Sequence, residues 1–269
     1  MREVTPRSPV AILLILLAVG YAVILFIAPL IAVIQGAFAG GLEPVLAVFR
    51  DPGVIHAFQV TLILSGVAIA INAVFGLTTA WVLTRHHFRG RKLFDTLVDI
   101  PFVFSPVIAG YAMIVLFGRG GWLAPPLVPI VFALPGILLA KIFVSLPFVI
   151  REVEPVLQGI TPEQEEAAAT MGAGSFTTFR RVILPEIRTA LLYGVVLTFA
   201  RAIGEFGAVA VVSGNIEGYT ETATSYVYRA LNDRSTIGAY SVSVVLCLLS
   251  IGILVLMSIL RRRLSKEER

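Results

Sequence analysis

Charge is what this sequence has least of. Only 14% of its 269 residues are Asp, Glu, Lys or Arg, against roughly 25% in a soluble domain. With 57% hydrophobic residues and so little charge, the chain cannot clothe a water-facing surface, which excludes a soluble globular enzyme and a disordered chain alike. Cysteine is nearly absent. Cys247 stands alone in an apolar run, so there is no internal disulfide and no thiolate metal site. The three histidines, His56, His86 and His87, lack ligand spacing and read as loop or interfacial residues. Catalytic motifs are missing too. Without HExxH, GxSxG or metal-spaced carboxylates, nothing points to a membrane-embedded enzyme, and no catalytic or metal-binding residue is assigned. Without a GxxxxGK(S/T) phosphate loop, the chain does not hydrolyse ATP itself. No low-complexity segment occurs, and no internal duplication of the kind found in ion-coupled secondary transporters.

What the sequence does have is long apolar runs. A helix crossing a hydrocarbon core about 30 Å thick needs about 20 apolar residues. Such runs lie at 10–34, 57–84, 95–117, 128–150, 189–213 and 239–260. They predict an all-α fold: a polytopic transmembrane helical bundle of six spans, built as one domain over residues 1–269. Pro101, Pro106, Pro135 and Pro147 fall in the third and fourth runs and predict kinks or short breaks there, because proline lacks the amide hydrogen that continues a helix. Arg2, Arg7 and the trio Ala37-Phe38-Ala39 imitate a signal peptide. The uncharged stretch from Val10 to Ile34 is far longer than an h-region of about 7–15 residues, so it reads as a retained first helix.

The net charge of +4 is a matter of topology and does not indicate nucleic acid. Of 21 Lys and Arg, 15 lie before the first run, after the second, after the fourth and after the sixth. The opposite loops hold Arg50, Arg119, Arg229 and Arg234. The positive-inside rule then places both termini in the cytoplasm, and an even number of spans agrees.

The one long cytoplasmic loop, 151–188, opens with helix signals. Thr161 suits an N-cap, Pro162 the first helical position, and Gln164 completes a capping box. Glu163, Glu165 and Glu166 favour the positive helix start, and Ala167-Ala168-Ala169 are the best helix formers. Gly172 suits a left-handed stop, and Ser175 a cap for a second piece reaching Pro185. A short helix with a small alanine face, slung between two spans, is shaped for another protein's groove; an ordinary solvated connector is the alternative.

The fifth run carries charge. Arg201 lies about twelve residues past its expected cytoplasmic end, roughly 18 Å up a helix and near mid-membrane, where a charge costs on the order of 2.5–3.5 kcal/mol. Glu205 follows four residues later, on the same helical face. Two readings stay open. The pair stabilises packing against a neighbour, or it faces a pathway to which Arg201 lends positive potential for an anion. Ala200, Gly204 and Ala208 repeat every four residues as a small face for close helix packing. Lys141 in the fourth run is too far from an end for easy snorkelling, and Asn72 in the second reads as an interhelical hydrogen-bonding residue.

Glu166-Ala167-Ala168, three residues, Gly172, nine residues, Val182, one residue, then Leu184-Pro185 resembles the EAA loop of prokaryotic ABC importer permeases, with Val182 where that family usually has Ile. The run Arg201-Ala202-Ile203-Gly204-Glu205-Phe206-Gly207-Ala208-Val209, with Ser213-Gly214-Asn215 after it, resembles the oxyanion branch of those permeases. Asp99-Ile100-Pro101-Phe102, Ser105-Pro106-Val107-Ile108-Ala109-Gly110, Pro147-Phe148-Val149-Ile150-Arg151-Glu152 and Leu192-Tyr193-Gly194-Val195-Val196-Leu197 are most similar to the CysW-type sulfate/thiosulfate permease. The resemblance implies a type I ABC importer permease-like fold in the cytoplasmic (inner) membrane of a prokaryote. It implies that Glu166, Ala167, Ala168, Gly172, Leu184 and Pro185 belong to the coupling to an ABC ATPase subunit. It also implies a second permease, identical or a paralogue, and an extracytoplasmic oxyanion-binding protein. No cofactor resides in this chain; ATP with Mg²⁺ belongs to the partner subunit. A homodimeric molybdate/tungstate permease is the alternative within the family, and an ion-coupled secondary anion transporter the alternative outside it.

Overall fold

The computed structural model describes residues 9–124 and 129–267, with backbone alone at Pro162 and 260–267. Arg2, Arg7 and Arg269, and residue 128 where the fourth span was expected to open, lie outside the described residues. Every regular element among the described residues is a helix. In order they are α1 (Pro9–Phe38), α2 (Leu42–Arg50), α3 (Pro52–Arg85), α4 (Arg91–Val103), α5 (Pro106–Phe117), α6 (Leu134–Gly159), α7 (Pro162–Thr170), α8 (Ser175–Ile203), α9 (Gly207–Val212), α10 (Ala223–Asn232) and α11 (Thr236–Glu267). Helices α1, α3, α6, α8 and α11 are long and apolar enough to cross a bilayer. The α4–α5 pair, bent by 115°, supplies a sixth crossing when its two arms are taken together.

Helix α3 shows how the bundle is built. The Asp51 carboxylate accepts the Gly53 amide hydrogen at 2.8 Å, and Pro52 sits in the first turn, where its missing N–H leaves no gap. Thirty-four residues then carry α3 roughly 50 Å, beyond the hydrocarbon thickness. Its buried stripe includes Ala57, Thr61, Ser65, Ala68, Asn72, Gly76 and Ala80, at steps of three and four, while Ile63, Val74 and Phe75 are exposed. The faces are sorted by size rather than polarity. Lipid is as apolar as leucine, so small residues gather where backbones approach closely. Asn72 acts between helices, donating to the Ile142 carbonyl at 3.1 Å and the Ser145 hydroxyl at 2.9 Å.

Helix α6 is the centre. A Cβ built on Gly76 of α3 would stand 2.8 Å from Val149 Cβ, and one on Gly194 of α8 would stand 2.7 Å from Val149 Cα. Two glycines therefore close on one residue of α6. Gly194→Leu is expected to cost roughly 1–3 kcal/mol through overpacking and to lower the melting temperature of the purified chain. Gly66→Leu, at a position with open space around it, is the control. Equal melting temperatures would show that this contact does not hold the bundle.

Three expected spans differ from the helices observed. The third is broken. Pro106 biases its neighbour away from helix, Phe104 and Ser105 are extended (ψ 134° at both), and α5 turns away from α4. The fourth begins at Leu134 and continues past Pro147 and Pro155 to Gly159, so residues 151–159 are helix and not loop. Its charged end stays folded because Arg151 pairs with Asp95, Asp99 and Glu154, each at 2.7 Å, while Ile150, Val153 and Leu157 are buried. The fifth was expected over 189–213, but α8 runs from Ser175 to Ile203. The second connector piece therefore does not end at Pro185; it is the first part of α8, carried through that proline by a π-helical turn over Phe179–Ile183.

After α8, Gly204 caps the helix, Glu205 and Phe206 bridge, and α9 begins. Ala200, Gly204 and Ala208 therefore do not form one continuous face. The small residues serve a different contact: a Cβ on Gly110 of α5 would lie 2.8 Å from the Ala208 carbonyl oxygen, and one on Gly207 would lie 3.0 Å from Pro106 Cβ. The two half-length helices α5 and α9 thus touch backbone to backbone.

Candidate coupling helix and intramembrane charge cluster

Helix α7 hangs between α6 and α8 at one end of the bundle. It starts after Thr161, whose extended backbone marks the N-cap, but the expected capping box is not formed. The Thr161 hydroxyl bonds the Glu163 carboxylate instead, and that bond holds the Glu163 carboxyl below its ordinary range. That bond uses the hydroxyl hydrogen; the hydroxyl oxygen, which a cap needs as acceptor, takes no amide hydrogen of the first turn. At the other end Gly172 takes φ +85°. The Gly172 amide donates to Ala169 O at 2.9 Å and the Ala173 amide to Ala168 O at 3.0 Å, a left-handed stop that satisfies the last carbonyls. The following cap falls to Gly174, not Ser175, which is the first residue of α8.

The six motif residues divide into two groups. Glu166, Ala167 and Gly172 are exposed on the connector, and Ala168 turns inward at 4% exposure. Leu184 and Pro185 belong to α8; Leu184 is half-buried against a cluster that includes Ile150, Val153 and Ile183. Two neighbours were missed in the sequence. Met171 (81% exposed) and Phe176 (74%) stand on either side of the Gly172 turn. Large apolar side chains in a polar connector are the available signal.

The second feature is a cluster of buried charge in the half of the bundle away from α7. Arg201 lies two residues before the end of α8, not at its midpoint, because α8 starts earlier than expected and stops at Ile203, ten residues short of the expected end. Its Nη1 meets Glu205 Oε2 at 2.5 Å, although Glu205 lies beyond the helix end. Glu205 Oε1 also accepts the Ala208 amide hydrogen at 2.8 Å, so the carboxylate caps α9 as it pairs with α8. The Glu205 side chain is 1% exposed and that of Arg201 is 32%. Lys141 is buried beside them. Its ammonium donates to Ala202 O at 2.5 Å and Ser65 Oγ at 3.2 Å, and it feels the charges of both Arg201 and Glu205. An ammonium at a helix C-terminus meets the negative end of the helix dipole, which offsets part of its desolvation. Two cations surround one carboxylate, so the cluster carries net positive charge toward the side where Arg201 is open.

Comparison with known proteins adds a family. The sequence profile described as "Binding-protein-dependent transport system inner membrane component" matches residues 72–266. The sulfate transport system permease protein CysW of Synechocystis sp. is 47% identical over 255 residues, covering 93% of this chain and 92% of that protein. The Escherichia coli CysW is 44% identical over 94% of this chain and 89% of its own length. The E. coli sulfate transport system permease protein CysT is 39% identical over 82% and 81%. Among solved structures, a chain of a bacterial alginate ABC transporter in complex with a pentasaccharide-bound periplasmic protein superposes with a TM-score of 0.79 at 20% identity, covering 96% of this chain and 95% of that one. At that identity the likeness is one of fold.

Proposed function

The chain belongs to the family of binding-protein-dependent transport system inner membrane components, and from that membership we propose that it is a permease subunit of an ATP-driven importer of sulfate. The observation that carries the substrate is the 47% identity, over 93% of the chain, with a sulfate permease. The chain is a transport subunit and not an enzyme; its ATPase is a separate polypeptide.

On this reading the chain lies in a prokaryotic inner membrane with both termini cytoplasmic, and α7 is the coupling helix on the cytosolic side. Its exposed Glu166, Ala167 and Gly172, with Met171 and Phe176 beside them, form the surface that a groove on the ATPase accepts. The ATPase binds ATP with Mg²⁺, and its closing and opening move α7. The second permease is a paralogue of the CysT kind, since CysW and CysT relatives are both sulfate permease proteins and both align with most of this chain. Helix α1, apolar on every side and with Ala37 as its one buried residue, offers that partner a surface. An extracytoplasmic binding protein delivers sulfate or thiosulfate, both tetrahedral oxyanions. Arg201 faces the path: a planar guanidinium presents several donors to a tetrahedral oxyanion while Glu205 fixes its position.

The test is uptake of labelled sulfate into proteoliposomes holding the full complex. Uptake is expected to require ATP and the binding protein and to survive dissipation of the proton gradient. Uptake that collapses with the gradient while ATP is maintained would favour an ion-coupled carrier, and uptake of molybdate in preference to sulfate would move the substrate.

A further inference from the structure

The last turn of α3 holds the connector at its entry, its body and its exit. Arg85, the final residue of α3, donates to the Ile160 carbonyl from Nη1 at 3.3 Å and from Nη2 at 3.4 Å. Ile160 is the residue through which α6 leaves toward α7. The same Nη2 meets Glu165 Oε1, within α7, at 2.6 Å. One turn back, Trp81 lies 5.8 Å from the Arg85 guanidinium carbon and packs edge-on against Phe179 of α8 at 5.9 Å, just past the connector. Little else grips α7: Ala168 is its one buried side chain among the described residues.

The grip is stiffer than a surface ion pair. The side chains of Arg85 and Glu165 are 19% and 30% exposed, so solvent screens them only partly. The guanidinium is planar and is fixed by a carbonyl, a carboxylate and a ring face, which leaves it few other rotamers. Helix α3 then continues without interruption to Ser65, the hydroxyl that accepts from Lys141 in the charge cluster. Twenty residues of helix, roughly 30 Å, separate the two ends.

We propose that Arg85 is a positioning residue for energy coupling: with Glu165 it ties α7 to α3, so that displacement of α7 is delivered along one rigid helix to the buried charges. This rests on the reading of α7 as the ATPase-docking helix. A contact through small alanines transmits a push; a guanidinium held on both the Ile160 carbonyl and the Glu165 carboxylate also transmits a pull, which a reversible cycle needs.

The experiment uses the whole complex in proteoliposomes and reads sulfate imported per ATP hydrolysed. Arg85→Gln and Glu165→Gln are each expected to lower that ratio roughly fivefold, with the double variant no worse than the weaker single, because both remove one shared interaction. Arg85→Lys keeps the charge without the fork and is expected to fall between. Co-purification of the ATPase is expected to stay unchanged, which separates a lost tie from a lost partner. A wild-type ratio in either Gln variant, or losses that multiply in the double variant, would overturn the proposal. Should Arg85→Gln fail to accumulate, Glu165→Gln, on a largely exposed helix, decides alone. If instead the wild-type chain never retains an ATPase, the coupling assignment of α7 itself fails, an outcome distinct from failure of the tie.

Discussion

Arg201→Ala is expected to abolish most sulfate uptake and to lower stability by about 2 kcal/mol, and adding Glu205→Ala is expected to return much of that stability. Burial is unequal within the pair. The Glu205 side chain is 1% exposed, whereas Arg201 is open over 32% of its side chain. Removing the arginine leaves a carboxylate in the bundle with one amide hydrogen at 2.8 Å and the field of Lys141. Breaking a fully buried pair costs ~3–5 kcal/mol; the solvent reaching Arg201 reduces that to the smaller figure given. Removing both charges takes away the stranded anion as well as its partner. Melting temperature and uptake separate the roles. If Arg201 only supports packing, the double variant regains both. If it meets the anion, the double variant regains melting temperature and stays inactive. Losses that simply add in melting temperature would deny the pair any energetic coupling.

Gly172→Val is expected to leave a folded, assembled chain in which ATP hydrolysis drives at least about tenfold less uptake. The Gly172 backbone sits at φ +85°, where a β-branched residue is strained by ~1–2 kcal/mol or more. Outside the bundle the strain is relieved by moving the end of α7, since exposed Met171 and Thr170 offer no packing to resist it. A shift of ~1.4 kcal/mol is a factor of ten in any equilibrium it biases. Gly172→Asn is the matched control, because asparagine tolerates the left-handed region at small cost. The measurement is ATP turnover against sulfate uptake in the same vesicles. Equal coupling in the Val and Asn variants would mean that the stop at the end of α7 has no part in transmission.

Both sites are partly legible in the sequence. The Glu166-to-Pro185 spacing marked the connector, and Gly172 was recognisable as a helix stop from its type and place. Arg201 and Glu205 stood out because charge is rare within apolar runs. Asn72 was legible as a bridge between helices for the same reason. Arg85 was not, because an arginine just past an apolar run is what topology alone predicts. Its role depends on Glu165 and Ile160, more than seventy residues away, and no local pattern encodes that meeting.

Composition and hydropathy by themselves determined that the chain crosses a membrane, that its spans number about six, and where the polar connector falls, because transfer from water to hydrocarbon is a property of each residue alone. Only the tertiary structure decided where helices end. A helix satisfies its own backbone in lipid and in water alike, so hydropathy marks the edge of the bilayer and not the end of the helix. That is why α6 outruns its apolar stretch to Gly159 on the strength of Arg151 and three carboxylates, and why α8 begins at Ser175. It is also why the break after Ile203 sets Glu205 at the start of a new helix, where a carboxylate has both an amide and a guanidinium to hold it.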